Sequence, residues 1–188
     1  MRAIIASMVV GLGMGMQVRA DIPDDPAIAT VESFQDALLA SMHREPAKLA
    51  DSIHSQFNVS VMSAYIAGPA WNSASSSERT LVGAAFTRYL VARFAHEFDS
   101  YDGEQFQIDA PVQSRGPDKM IQTRVTPRNS APIHLDYRLR AYDGQWRIID
   151  VYYDGVSQLA TQRADVATLA PQPAALAAHF NEAAAALK

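Results

Sequence analysis

The chain predicts an α+β protein in which helices come first and an antiparallel sheet follows. Three observations carry that reading. Apolar residues recur at helical spacing through the first half of the chain, the period drops to two after Asp102-Gly103, and Asp143-Gly144 marks a tight hairpin between two alternating runs. The 188 residues, 48% hydrophobic and 19% charged, suit a single globular domain with a sizeable core.

The elements follow in order. Residues 1–20, "MRAIIASMVVGLGMGMQVRA", carry an early positive charge at Arg2, an uncharged apolar run from Ala3 to Met16, and Val18-Arg19-Ala20 as a small-x-small cleavage site. The run is shorter than the ~20 residues that span a bilayer, and its glycines weaken helicity. It reads as a secretory signal peptide, leaving 21–188 as the mature domain with Asp21 first. Asp25 before Pro26 makes an N-cap followed by a first-turn proline, and Val31, Phe34, Leu38 and Met42 continue at helical spacing, giving a helix over about 26–43. A second helix is expected from Pro46 to Phe57 with Leu49 and Ile53 inward, and a third from Val59 to Ala67, stopped by Gly68-Pro69. Ser75 three residues before Glu78 is a capping box. It opens the longest helix, with Leu81, Phe86, Tyr89, Leu90, Phe94 and Phe98 on one broad face.

Beyond Asp102-Gly103 the alternating runs are Phe106, Ile108, Ala110 and Val112; then Ile121, Thr123 and Val125; then Ile133, Leu135, Tyr137 and Leu139. After the hairpin, Trp146 and Ile148 continue the alternation until Val151, Tyr152 and Tyr153 crowd it. Ser157 caps a following helix, and alanine-rich helices fill the C-terminus. The result is a curved antiparallel sheet covered on one face by helices.

Charge and composition exclude several functions. Acidic residues outnumber basic ones, 20 to 16, and losing Arg2 and Arg19 with the signal peptide would make the chain more acidic still. No basic footprint for nucleic acid or an anionic bilayer is present. The absence of cysteine leaves an exported fold to stand on its core alone. The five histidines show no ligand spacing, so neither a metal nor a cofactor is expected. Gly155-Val156-Ser157 lacks the second glycine of a nucleophile elbow, since position 159 is leucine. Asp150 and Asp154 flank the aromatic strand and could serve as a base in an apolar pocket, although solvated carboxylates at a strand end are the commoner outcome. By composition alone, the aromatic stripe and the sheet face simply pack against each other.

A resemblance shifts that balance. "SAYIAGPAWNSASSSERTLVGAAFTRYL" resembles the segment of the MlaC family in which an apolar helix, a glycine and a cap of the form S/T-x-x-E/Q-R lead into a long helix. "YDGEQFQI", "IHLDYRLRAYDGQWRIIDVYYDGVS" and Arg163 continue it collinearly over roughly residues 30 to 170. The resemblance extends to the family's hopanoid-associated HpnM relatives.

It implies an NTF2-like curved sheet with helices around an apolar lipid cavity. It also implies a monomeric periplasmic carrier that moves a phospholipid or hopanoid-type lipid between membrane-anchored components of an ABC-type lipid transport system. Two acyl chains of about 30 methylenes would cost on the order of 24 kcal/mol in water, so a carrier must enclose them. The lipid-binding residues implied are Met62, Tyr65, Ile66 and Trp71 before the long helix, and Phe86, Tyr89, Leu90 and Phe94 on it. Leu135, Tyr137 and Leu139 would join them from one strand, and Trp146, Ile148, Val151, Tyr153 and Val156 from the last. The alternative is an exported NTF2-like isomerase or dehydratase with Asp150 or Asp154 as base.

Overall fold

The computed structural model describes residues 24–42, 46–98, 105–126 and 131–187. The signal segment and the Asp102-Gly103 turn lie outside them. Among the described residues five helices precede the sheet: α1 (Pro26–Met42), α2 (Pro46–Gln56), α3 (Val59–Ala67), α4 (Ala70–Ser73) and α5 (Ser76–Glu97). The strands are β1 (Gln105–Arg115), β2 (Asp118–Thr126), β3 (Ile133–Tyr142), β4 (Gln145–Tyr153) and β5 (Val156–Ser157), followed by α6 (Gln158–Asp165) and α7 (Pro173–Ala186). The sheet is an antiparallel meander in the order β1-β2-β3-β4-β5. The α+β architecture expected from the sequence is what the chain adopts. No helix among the described residues is long and apolar enough to cross a membrane.

Local signals explain the element ends. Asp25 accepts the Ala27 N–H at 2.9 Å and starts α1. Ser75 and Glu78 close the reciprocal capping box that starts the 22-residue α5. Asp143 and Gly144 both take positive φ (50° and 78°), as a two-residue primed hairpin turn requires. Gly68 ends α3 at φ 61°, ψ −142°, a region open essentially to glycine alone.

Two irregularities were not legible in advance. In β1 the register slips between Asp109 and Gln113, and Pro111, which has no N–H to give a ladder, falls in the slip. In β4 Leu139 pairs with Ile148 but Arg138 pairs with Asp150, so Ile149 is an extra residue, a β-bulge. The bulge explains the crowding after Ile148: inward positions fall at Ile148 and Val151, three apart rather than two.

The core lies between the helices and the sheet. Val31, Phe34 and Leu38 of α1 and Leu49 and Ile53 of α2 are fully buried, as are Ile121, Tyr137, Leu139 and Ile148 of the sheet. Phe34 is the hub of an edge-to-face cluster, with ring centroids 4.8 Å from Phe57, 5.0 Å from Phe94 and 6.0 Å from Tyr137. α7 packs along α5, where Phe180 lies 5.0 Å from Phe86 and 5.5 Å from Tyr89. One expectation for α5 fails: Leu81 is 45% exposed, off the buried face that Val82, Ala85 and Phe86 hold.

Candidate functional site

The long helix, the last long strand and α6 do not close completely on one another. Between them lies an apolar cavity. From α5 it is lined by Phe86, Tyr89, Leu90 and Phe94; from the preceding segment by Phe57 and Met62; from the sheet by Leu135, Val151 and Tyr153; and from α6 by Leu159 and Gln162. The space between atoms, counting the part open to solvent, is about 550 Å³, of which about 40 Å³ admits the centre of a water molecule. That is room for a few waters. A larger cargo needs the walls to part.

The rim is polar. Arg93, Glu97, Gln158 and Asp150 border the same cavity. Arg93 donates from Nε to Glu97 at 2.8 Å, from Nη1 to the Tyr89 hydroxyl at 2.9 Å and from Nη2 to Gln158 Oε1 at 3.0 Å. Burial works against its charge, but the Tyr89 hydrogen bond and the Glu97 carboxylate raise its pKa further above the usual guanidinium value.

Asp150 accepts from the Ser157 hydroxyl at 2.6 Å and from the Leu159 N–H at 3.1 Å, while Ser157 Oγ accepts the Ala160 N–H at 3.0 Å. Strand β4 is thus tied to the first turn of α6. Burial raises the Asp150 pKa, and those same hydrogen bonds work against the rise. Asp154 lies in an exposed turn at φ 46° and accepts the His134 N–H at 3.0 Å. Both carboxylates have definite backbone-holding work.

The structure brings together eight of the residues named in advance: Met62, Phe86, Tyr89, Leu90, Phe94, Leu135, Val151 and Tyr153. The other eight lie elsewhere. Tyr137, Leu139 and Ile148 are packed into the fully buried core rather than at the cavity: Leu139 and Ile148 sit beyond the bulge, and Tyr137, on the cavity side of it, is covered by Phe34 of α1. Trp146 is at the opposite end of β4 from Tyr153, half-buried with the Lys119 ammonium 4.4 Å from its ring centroid. It is not a pillar of the cavity.

Tyr65 is exposed, with the Arg163 guanidinium 4.8 Å from its ring centroid, and Trp71 is half-buried with Arg79 at 5.7 Å. Val156 is exposed on the edge strand. Ile66 borders a separate, open groove with Gly68, Pro69, Ala160, Arg163 and Ala164, about 560 Å³ by the water-centre measure. Larger though it is, this groove is the more open of the two to solvent and has mostly small side chains along it, so it encloses a cargo less completely than the cavity does.

Sequence reasoning missed Phe57, Arg93, Leu159 and Gln162. Arg93 carried a signal, being a basic residue four positions from both Tyr89 and Glu97 on an otherwise apolar stripe. Phe57 carried none, because its place follows from a parallel bridge to Ile148 far along the chain.

The family model described as MlaC protein matches residues 25–175. The chain belongs to the MlaC family. A solved structure from Ralstonia solanacearum, a phospholipid-binding protein in complex with a phospholipid, matches with a TM-score of 0.70 at 20% identity, covering 86% of this chain and 98% of that one. At that identity the likeness shows a shared fold, an antiparallel sheet packed with helices. The expectation drawn from the quoted motifs is met for family and fold alike.

Proposed function

We propose that this MlaC-family protein is a non-enzymatic lipid carrier of the periplasm, exported by a cleaved signal peptide. It encloses the acyl part of a lipid between α5, α6 and β3–β4 and moves it, as a monomer, between membrane-anchored components of a lipid transport system. The carrying observation is the cavity itself: its lining is mostly apolar, and the partly exposed Arg93 and Glu97 border it beside Gln158. A diacyl lipid has the same distribution, with apolar chains and one polar end. The phospholipid in the related structure supports the same cargo class.

Uptake requires α5 and α6 to move off the sheet. Gly68 at φ 61° and Gly155 at φ 81° stand at the chain segments entering α4 and β5, where backbone rotation can be absorbed. Partner proteins would favour the open form by binding it more tightly than the closed one, since equal affinity for both shifts nothing.

Native mass spectrometry of the purified protein, with extraction and analysis of what it carries, tests the reading. One lipid per chain is the expected result. A homogeneous lipid-free protein that takes no lipid from vesicles, with or without membrane partners, would contradict it.

A further inference from the structure

The rim holds one cation and two carboxylates, and their occupations differ. Asp150 is committed to Ser157 and the Leu159 N–H. Arg93 and Glu97 are one helical turn apart on α5, pair with each other at 2.8 Å, and keep side-chain exposures of 38% and 35%. A guanidinium has five N–H donors in a planar fork, and three of Arg93's are used by Glu97, Tyr89 and Gln158. Its fork is incompletely used on a side chain that borders the cavity and is partly exposed to water.

Opening this pair costs little. A partly exposed ion pair at i, i+4 adds little to stability. A phosphodiester accepts two parallel N–H bonds from a guanidinium, a stronger arrangement than a single side-chain contact. The Glu97 carboxylate, released from Arg93, then needs a cation of its own. A phosphate alone leaves Glu97 unpaired beside new negative charge. A headgroup with phosphate and ammonium a few atoms apart satisfies both.

We propose that Arg93 and Glu97 form the headgroup subsite of the carrier, Arg93 taking the phosphodiester and Glu97 the amine of a zwitterionic glycerophospholipid. This rests on the lipid-carrier reading and narrows its cargo: an uncharged polycyclic lipid of the hopanoid class would leave both groups without a partner.

Calorimetric titration of delipidated protein with a short-chain phosphatidylethanolamine, the phosphatidylglycerol with the same chains, and the corresponding diacylglycerol tests the subsite. Wild type binds the phosphatidylethanolamine about tenfold or more tighter than the diacylglycerol, and tighter than the phosphatidylglycerol. Arg93→Gln brings the first ratio to near one, and Arg93→Lys, which keeps the charge without the fork, retains part of it. Glu97→Gln removes the preference for phosphatidylethanolamine over phosphatidylglycerol. Equal affinities in wild type, or ratios unchanged in Arg93→Gln and Glu97→Gln, would overturn the subsite while leaving the carrier intact. A wild type that binds none of the three would overturn the carrier reading and the subsite with it.

Discussion

The two ends of β3 and β4 make a useful contrast. At the hairpin end, α1 is fastened down. Lys119 bridges Asp25 at 2.6 Å and lies over Trp146, Thr30 donates to the Trp146 carbonyl at 3.2 Å, and Asp118 is gripped by Arg138 and Arg140. Between that end and the middle, Leu139, Ile148 and Tyr137 are fully buried.

At the other end, near Leu135 and Tyr153, the helices facing the sheet are α5 and α6, and a cavity with a polar rim replaces close packing. Tyr153 is 43% exposed, although it sits in register opposite the buried Leu135. The same sheet serves as a core wall at one end and a cavity wall at the other. What differs is which helices lie over it and how they are fastened. The Phe34, Phe57, Phe94 and Tyr137 cluster stands at the border.

The largest expected effect comes from breaking the packed side of that border. Phe34→Ala removes the hub of three ring contacts from a fully buried site and should cost about 3–5 kcal/mol, read as a lower urea midpoint with unchanged slope.

A pair of enlargements sharpens the contrast next. Leu139→Trp in the filled core should cost about 1–3 kcal/mol of overpacking, whereas Leu90→Trp, which can project into the cavity, should cost well under about 1 kcal/mol. Equal losses in parallel thermal melts would remove the distinction between the two ends.

Asp118 and Asp150, both buried, should respond to pH with opposite sign. Burial alone would raise Asp118, but hydrogen bonds from Arg140 and Arg138 outweigh it and hold its pKa below the ordinary 3.8. Its contribution is therefore present above that value and lost as pH falls through the lowered one. Asp118→Asn should cost about 2 kcal/mol at neutral pH, less than a fully buried pair because both arginines are partly exposed, and the cost should shrink in acid.

Asp150, raised by burial, works the other way. Its favourable contribution is complete below the ordinary 3.8 and declines as pH rises through the folded value. The cost of Asp150→Asn should accordingly fall as pH rises. Urea midpoints across the acid range check both signs. Ser157→Ala, which removes the α6 cap, should cost about 1 kcal/mol.

Much of the fold was legible because its signals are local. The capping box at Ser75 and Glu78, the Asp143-Gly144 turn, the α3 stop at Gly68 and the Ser157 cap each act within a few residues, and each is found where it was read. The cavity was legible only in part. Periodicity identified Phe86, Tyr89, Leu90 and Phe94 as one face, but it could not say where along the sheet that face stays unfilled.

Trp146 and Tyr153, an odd number of positions apart, would fall on opposite faces of a strictly alternating strand, and the one-residue bulge at Ile149 is what brings them to the same face. They lie at opposite ends of β4, and Trp146 belongs to the fastened end, where Thr30 of α1 donates to its carbonyl. Leu159 and Gln162 enter the cavity through the tie from Asp150 to the start of α6, a contact no sequence spacing encodes.

The central claim is that the loosely filled end of the sheet is where lipid is held. Native mass spectrometry of wild type and Leu90→Trp, expressed and purified side by side, tests it most directly. One bound lipid per wild-type chain is expected, with a folded, lipid-free Leu90→Trp protein of near-wild-type melting temperature. Leu90→Trp carrying lipid at wild-type occupancy would contradict it.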